Sequence, residues 1–102
     1  MHTSASSADI QAFVQAHPGW SYRDDTLTRS YRFANFIEAF GWMTQVAIVA
    51  EGLGHHPDWR NVWAQVEVRL TTHDAGDVVT SIDLTLAKKM ESLASSMTQG
   101  AL

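Results

Sequence analysis

Three histidines at the ends of predicted elements are the residues of this 102-residue chain best suited to chemistry. His55 and His56 are adjacent in the stretch EGLGHHPDWRNVW, just after a long apolar segment, and His73 follows the clearest strand pattern. An unperturbed imidazole titrates at about pH 6.5, so near neutrality one histidine can donate a proton while another accepts it. Pro57 restricts His56 to extended geometry, which would hold that ring in place. The set favours acid/base chemistry.

Two other interpretations of these histidines remain open. A histidine in a loop is more often a solvated or capping side chain than a catalytic one, and this applies to each of the three. Three histidines can also ligate zinc and leave a water position open. However, adjacent histidines rarely reach one metal, and the chain has no HxH or HExxH spacing, so we expect no metal site. Motifs for a serine nucleophile (GxSxG) and for phosphate binding (GxGxxG, GxxxxGK) are absent.

Two carboxylates are candidates for orienting the imidazoles. Glu51 stands one helical turn before His55. Asp83 stands three residues after Thr80, at the start of the last predicted helix, where it also matches a capping-box arrangement. For Asp83, helix capping is therefore the alternative to a catalytic role.

Hydrophobic periodicity predicts the elements that must position these side chains. In chain order it predicts a helix capped by Ser6, two strands joined at Asp24 and Asp25, a helix over 34–53, one strand over 62–70 and a helix opened by Thr80. The long helix is expected to bury an apolar stripe that includes Phe36, Ile37, Phe40, Met43, Ala47 and Ala50, widened by Val46, Val49 and Leu53. In the strand over 62–70, alternation places Val62 and Val66 on one face and Trp63 on the other.

This order predicts an α+β fold with a single antiparallel sheet and about three helices packed on one face. Residues 1–5 are predicted to be a disordered tail and residues 6–102 one domain. With 45% hydrophobic residues the chain can build a small core, and without cysteine it can form neither a disulfide nor a thiolate site.

Charge and hydropathy exclude two classes of partner. The net charge is −4 and the seven basic residues are scattered, so we expect no direct contact with nucleic acid. The most apolar stretch, 33–53, is interrupted by polar residues, so we expect no membrane span. The N-terminal residues do not form a signal peptide, and we expect a cytoplasmic protein.

One combination of motifs carries a family resemblance. Glu51-x₃-His55-His56-Pro57-x-Trp59, followed by Thr72-His73-Asp74 and then Asp83, resembles the pterin-4a-carbinolamine dehydratase family over about residues 6–97. The HHPxW core with a downstream TH(D/E) is a fairly specific combination.

The resemblance implies a function and a set of site residues. The reaction is elimination of water from 4a-hydroxytetrahydropterin to give quinonoid dihydropterin, which recycles the cofactor of aromatic amino acid hydroxylases; the pterin is the substrate, and no cofactor is implied. His55, His56 and His73 fall on the family's active-site histidines, and Asp83 falls on its acidic partner. By the same resemblance, Thr72 and Asp74 flank the pterin pocket and Trp59 lies near its wall, as further substrate contacts. We assign His55 and His73 as the acid/base pair and His56 as mainly a positioning donor.

Partners and the competing function also follow from the resemblance. A homodimer or homotetramer, formed through the helices or the sheet edges, is expected. Proteins of this fold also include non-catalytic dimerisation modules and assembly factors. Retention of all three histidines favours an enzyme in this chain.

Overall fold

The computed structural model describes residues 4–100, with side chains described for residues 4–97. Its elements in chain order are α1 (Ser7–Ala16), β1 (Ser21–Arg23), β2 (Thr26–Arg32), α2 (Phe36–Leu53), β3 (Asp58–Val62), β4 (Gln65–Leu70), a 3₁₀ helix (His73–Ala75) and α3 (Ser81–Gly100). The four strands form one antiparallel sheet in the order β1-β2-β4-β3. The predicted α+β class with three helices is confirmed.

Local capping explains where two of the helices begin. The Ser6 hydroxyl accepts from the backbone N–H of Asp9 at 3.0 Å, as predicted for α1. Asn35 has the same role for α2, because its side-chain oxygen accepts from the N–H of Glu38 at 2.9 Å. Side chains that accept these otherwise unpaired donors therefore mark both helix starts.

The core lies between the helices and the inner face of the sheet. Leu27 lies opposite Leu70 and Tyr31 opposite Val66 on that face, and all four are buried. The helices complete the core with Ile10, Phe13, Trp42, Val46, Ala50, Leu86 and Met90. The buried Trp42 indole N–H donates to the carbonyl of Met90 at 3.2 Å, which ties α2 to α3.

The single strand predicted over 62–70 is wrong, because the chain reverses within it. Val62 pairs with Gln65, and Trp63 adopts a left-handed backbone (φ 51°) at the tip of a β3–β4 hairpin. The Asn61 side-chain amide donates to the carbonyls of Trp63 and Gln65, which stabilises the turn. The reversal puts Val62 on the outer face rather than beside Val66. A two-residue turn preserves apolar alternation in the sequence, so the pattern alone did not reveal the break.

The apolar face predicted for α2 is also partly wrong. The buried positions are Ala39, Trp42, Val46 and Ala50, whereas Phe36, Ile37, Phe40 and Ile48 are exposed. The helix is apolar on two sides, and periodicity does not say which side meets the sheet. The structure therefore leaves a second apolar face of α2 uncovered.

The N-terminal segment partly joins the fold. Ser4 bridges to Thr80, and the N–H of Ala5 donates to the carbonyl of Val79 at 2.9 Å, although both residues fall in the segment predicted to be a tail. Residues 1–3 of that segment lie outside the described residues. No helix within residues 4–100 is long and apolar enough to cross a membrane.

Candidate active site

A buried carboxylate, Asp83, is the centre of the candidate site. It lies in the first turn of α3 and is fully buried. One oxygen, Oδ1, lies 2.5 Å from Nε2 of His55. The other, Oδ2, accepts from the Thr72 hydroxyl at 2.7 Å and from the N–H of Thr80 at 2.9 Å. Helix capping and imidazole binding, which the sequence presented as alternatives for Asp83, are both present.

The end of α2 directs His55 towards that carboxylate. Gly54 caps the helix in a left-handed conformation (φ 66°), which glycine adopts without steric cost. The N–H of His55 then donates to the carbonyl of Ala50 at 3.0 Å, so the backbone of this residue is fixed to the last helical turn. Its side chain is only 11% exposed. His55 is therefore held at both its backbone and its ring.

His56 points away from this buried cluster. Its Nε2 lies 2.8 Å from the Glu51 carboxylate, and both side chains are largely exposed. Glu51 thus pairs with His56 and not with His55, the neighbour suggested by one helical turn of spacing. The turn through Gly54 carries His55 inward, so the next residue is the one that returns to the side of the helix on which Glu51 lies.

His73 is held by a short closed loop. The N–H of Thr72 donates to the carbonyl of Val78 at 2.9 Å, and the carbonyl of Thr72 accepts from Asp77 at 3.1 Å. Nδ1 of His73 lies 3.0 Å from the Asp77 carboxylate, while the side chain remains 91% exposed. The hydrogen bond and negative charge of Asp77 raise the pKa of His73 above its ordinary value. Asp77 was not among the predicted site residues, although its position four residues after His73 was a usable signal.

Each of the three imidazoles therefore has a carboxylate partner on one ring nitrogen. For His55 and His56 the partnered atom is Nε2, and for His73 it is Nδ1. The remaining nitrogen of each ring has no hydrogen-bond partner among the described protein residues. An ionised carboxylate only accepts, so it keeps the ring hydrogen on the bonded nitrogen and leaves a lone pair on the other while the ring is neutral.

The buried cluster connects the two predicted acid/base histidines. His55 binds Asp83, Asp83 accepts from Thr72, and Thr72 directly precedes His73. The loops after α2 and β4 are thus joined through one carboxylate at the start of α3. The chain of hydrogen bonds ends at the Thr72 hydroxyl, and the ring of His73 itself bonds Asp77.

The other predicted substrate contacts lie apart from this hydrogen-bonded chain. Trp59 packs against the core, with its ring centroid 6.2 Å from that of Trp42. Asp74 is exposed on the 3₁₀ helix beside His73, and its charge also raises the pKa of that histidine. Within the described part of the chain, no group of three His, Cys, Asp or Glu side chains is arranged to hold a metal ion.

A separate concavity lies on the outer face of the sheet. Its volume is about 800 Å³, and it is lined by arginines and carboxylates that include Arg23, Arg60, Arg69, Asp58 and Glu67. None of the three histidines lines it. Charges of both signs share this open face, and Arg60 already pairs with Glu67 at 3.2 Å. No histidine is among its lining residues, so it lacks the side chain whose ordinary pKa lies near neutrality.

Comparison with known proteins identifies relatives over nearly the whole chain. The family described as pterin 4 alpha carbinolamine dehydratase matches residues 3–93. A protein of Opitutus terrae, provisionally named a pterin-4-alpha-carbinolamine dehydratase, is 45% identical over 94 residues, which cover 92% of this chain and 97% of that one. A protein of Afipia carboxidovorans with the same name is 56% identical over 79 residues, covering 76% and 78%.

A solved structure shares the architecture. The crystal structure of a transcriptional coactivator/pterin dehydratase from Brucella melitensis superposes with a TM-score of 0.82 at 38% sequence identity. It covers 89% of this chain and 98% of its own. The similarity therefore extends to the arrangement of the helices and the sheet that position the three histidines.

Proposed function

Because this chain belongs to the pterin 4 alpha carbinolamine dehydratase family, we propose that it catalyses the elimination of water from 4a-hydroxytetrahydropterin to give quinonoid dihydropterin. This would recycle the pterin used in aromatic amino acid hydroxylation. The observation that carries the proposal is the hydrogen-bonded chain from His55 through Asp83 to Thr72, the residue that directly precedes His73. It joins the loops that carry His55 and His73, the two residues to which we assign proton transfer.

The reaction needs one proton delivered and one removed. The leaving 4a-hydroxyl takes a proton and departs as water, while the pterin ring system loses a proton as its new double bond forms. His73 suits the acid role, because Asp77 raises its pKa and keeps more of it protonated near neutrality. His55 suits the base role, because Asp83 holds the hydrogen on Nε2 and leaves Nδ1 able to accept.

The remaining residues bind and position the substrate in this proposal. His56, held by Glu51, donates a hydrogen bond to the pterin rather than transferring the proton. Thr72 and Asp74 flank the bound pterin, and Trp59 contributes an apolar wall. The proposed reaction uses no bound metal or organic cofactor, since the pterin itself is the substrate.

A rapid-mixing assay with enzymatically generated 4a-hydroxypterin tests the proposal. The wild type should accelerate dehydration, and His55→Ala and His73→Ala should each lower turnover at least about tenfold, because positioned acid/base groups contribute about 10²- to 10⁴-fold. His17→Ala is the matched control, since this histidine caps α1 away from the Asp83 cluster. Binding of pterin without accelerated dehydration would select a non-catalytic binding or dimerisation module instead.

We also propose that the protein is a homodimer or homotetramer. Four large apolar side chains, Phe36, Ile37, Phe40 and Ile48, are exposed along α2, and Ile37 is 81% exposed. Uncovered apolar patches of this kind commonly mark interaction surfaces. Sedimentation at micromolar concentration should show an oligomer that Ile37→Glu or Ile48→Glu dissociates. A monomer in the wild type would remove the proposal. The cytoplasmic location and the lack of direct nucleic acid contact remain predictions.

A further inference from the structure

The hydroxyl of Thr80 does not make the hydrogen bond expected of a residue that opens a helix. In a capping box this oxygen accepts from the N–H three residues later. Here the N–H of Asp83 donates to the backbone carbonyl of Thr80 at 3.1 Å, and Oγ1 of Thr80 lies 2.6 Å from Oγ1 of Thr72. Of the two hydrogen bonds of a capping box, only one forms: the N–H of Thr80 donates to the carboxylate of Asp83. The side chain is therefore used for something other than capping.

Counting hydrogens determines the direction of the bond between the two threonines. A hydroxyl has one hydrogen to donate, and that of Thr72 goes to Oδ2 of Asp83 at 2.7 Å. The short contact between the hydroxyls must then use the hydrogen of Thr80. Its other acceptor, Oδ2 of Asp83, lies at 3.5 Å, the outer limit for a hydrogen bond. The order is Thr80 to Thr72 to Asp83.

This arrangement makes Thr80 common to the supports of both histidines. Thr72 anchors the loop of His73 through its backbone bonds to Val78 and Asp77, and Asp83 holds the ring of His55. Thr80 itself is fully buried and Thr72 nearly so, which keeps bulk solvent away from the hydrogen bond between them. Successive hydrogen bonds in such a place polarise and reinforce one another.

We propose that Thr80 is a positioning residue: by donating to Thr72, its hydroxyl holds the His73 loop and the Asp83–His55 pair in a fixed relation. The proposal rests on the proposed dehydratase function and extends it to a residue that does not reach the substrate. Without this hydrogen, Thr72 loses the donor that fixes its hydroxyl rotation. It can then turn away from Asp83, and Oδ2 loses one of its two close donors.

The test compares three variants in the dehydration assay. Thr80→Val removes the hydroxyl at nearly constant volume, and we expect kcat to fall by about ten- to a hundredfold with little change in KM, since small misplacements of catalytic groups have effects of this size. Thr80→Ser retains the hydroxyl and should keep most of the wild-type kcat. Thr26→Val is the matched control, because this threonine is also buried and, among the described residues, its hydroxyl bonds the carbonyl of Asp24.

A second readout does not depend on activity. The ¹⁵N shifts of His55, recorded in alkaline buffer, should report a hydrogen on Nε2 in the wild type and in Thr80→Ser. In Thr80→Val the Nε2 shift of His55 should move away from its wild-type value, because Asp83 then has one fewer firm donor on Oδ2 and holds the ring in a less fixed position. A wild-type ring protonated on Nδ1 would overturn the proposal whether or not the variants fold.

The outcomes separate this inference from the proposed function. If the wild type does not accelerate dehydration, the proposed function fails, and the ¹⁵N shifts still test the role of Thr80. If Thr80→Val retains both kcat and the wild-type shifts, or if Thr80→Ser is as impaired as Thr80→Val, the hydroxyl is not a positioning group.

Discussion

Helix α3 presents two carboxylates to the rest of the fold, Asp83 in its first turn and Glu91 further along. Asp83 binds the imidazole of His55, while Glu91 accepts from the guanidinium of Arg29 at 3.2 Å. Both carboxylates are largely or fully buried, so each needs a partner. The partners differ in one property: an imidazole can release its proton at neutral pH and a guanidinium cannot.

The cluster around Glu91, formed with Arg29, Tyr31 and Gly19, links helix α3 to strand β2. The Arg29 guanidinium lies 4.4 Å above the ring of Tyr31, and it occupies the space that the missing side chain of Gly19 leaves open. Burial, followed by the nearby charge of Glu91, raises the pKa of Tyr31, so this phenol stays neutral over the working pH range. Nδ1 of His17 also lies 3.9 Å from the Glu91 carboxylate, but the hydrogen bond of that carboxylate is to Arg29. In the Asp83 cluster, by contrast, an imidazole is itself a hydrogen-bond partner of the buried carboxylate.

The largest effect expected from this comparison is on catalysis. Asp83→Asn should lower kcat by about a hundredfold or more, because an amide can present either its oxygen or its N–H to His55 and so no longer fixes the tautomer. Glu91→Gln makes the same chemical change on the same helix and should leave kcat within about threefold, since distant groups act independently. The dehydration assay measures both. Equal losses in the two variants would mean that the clusters do not differ in role.

Changes in the Glu91 cluster should lower the stability of the fold. A Cβ on Gly19 would lie 1.4 Å from Nη1 of Arg29, so Gly19→Ala must displace the guanidinium and its bond to Glu91. We expect the free energy of unfolding to fall by about 1–3 kcal/mol, the usual cost of overpacking. Urea titration of Gly19→Ala, Arg29→Met and the double variant tests the cause. If the costs of the two single changes add fully, the clash with Arg29 is not the reason.

The smallest expected effect is on the pH dependence of activity, through the exposed side chain of His73. Asp77 raises the pKa of His73, so the protonated ring persists to higher pH and is lost as the pH rises through that value. If His73 is the acid, activity falls over the same interval, and Asp77→Asn should move the fall to lower pH. The shift should shrink in high salt because the pair is exposed. A pH profile of kcat/KM that is identical in wild type and Asp77→Asn would assign the acid elsewhere.

The sequence predicted much of this molecule because several of its signals are local. Ser6 and Asp9 lie three residues apart, so the start of α1 could be read directly from their types and spacing. The histidine motifs likewise identified His55 and His73 as candidates. Local signals gave wrong predictions where one sequence pattern fits two structures. The apolar alternation through Val62 and Val66 fits both a single strand and a hairpin with a tight turn. Helix α2 is apolar on two sides, so either side could have faced the sheet.

The spacing of residues in the sequence did not predict which carboxylate would bind which histidine. Glu51 lies four residues before His55 but binds His56, because a left-handed glycine between them changes the direction of the chain. Asp77 reaches His73 only because a compact loop closes on Thr72.

What the sequence determined by itself is the inventory: the helix starts, the apolar residues available for a core, and three histidines at the ends of elements. Only the tertiary structure decided which carboxylate binds which ring and that the Thr80 hydroxyl turns towards Thr72 instead of capping its helix. The physical reason is that these bonds join groups from α2, the loop after β4 and α3. Such groups meet only when the core is packed, and a buried polar group then bonds whatever partner the packing has brought within reach.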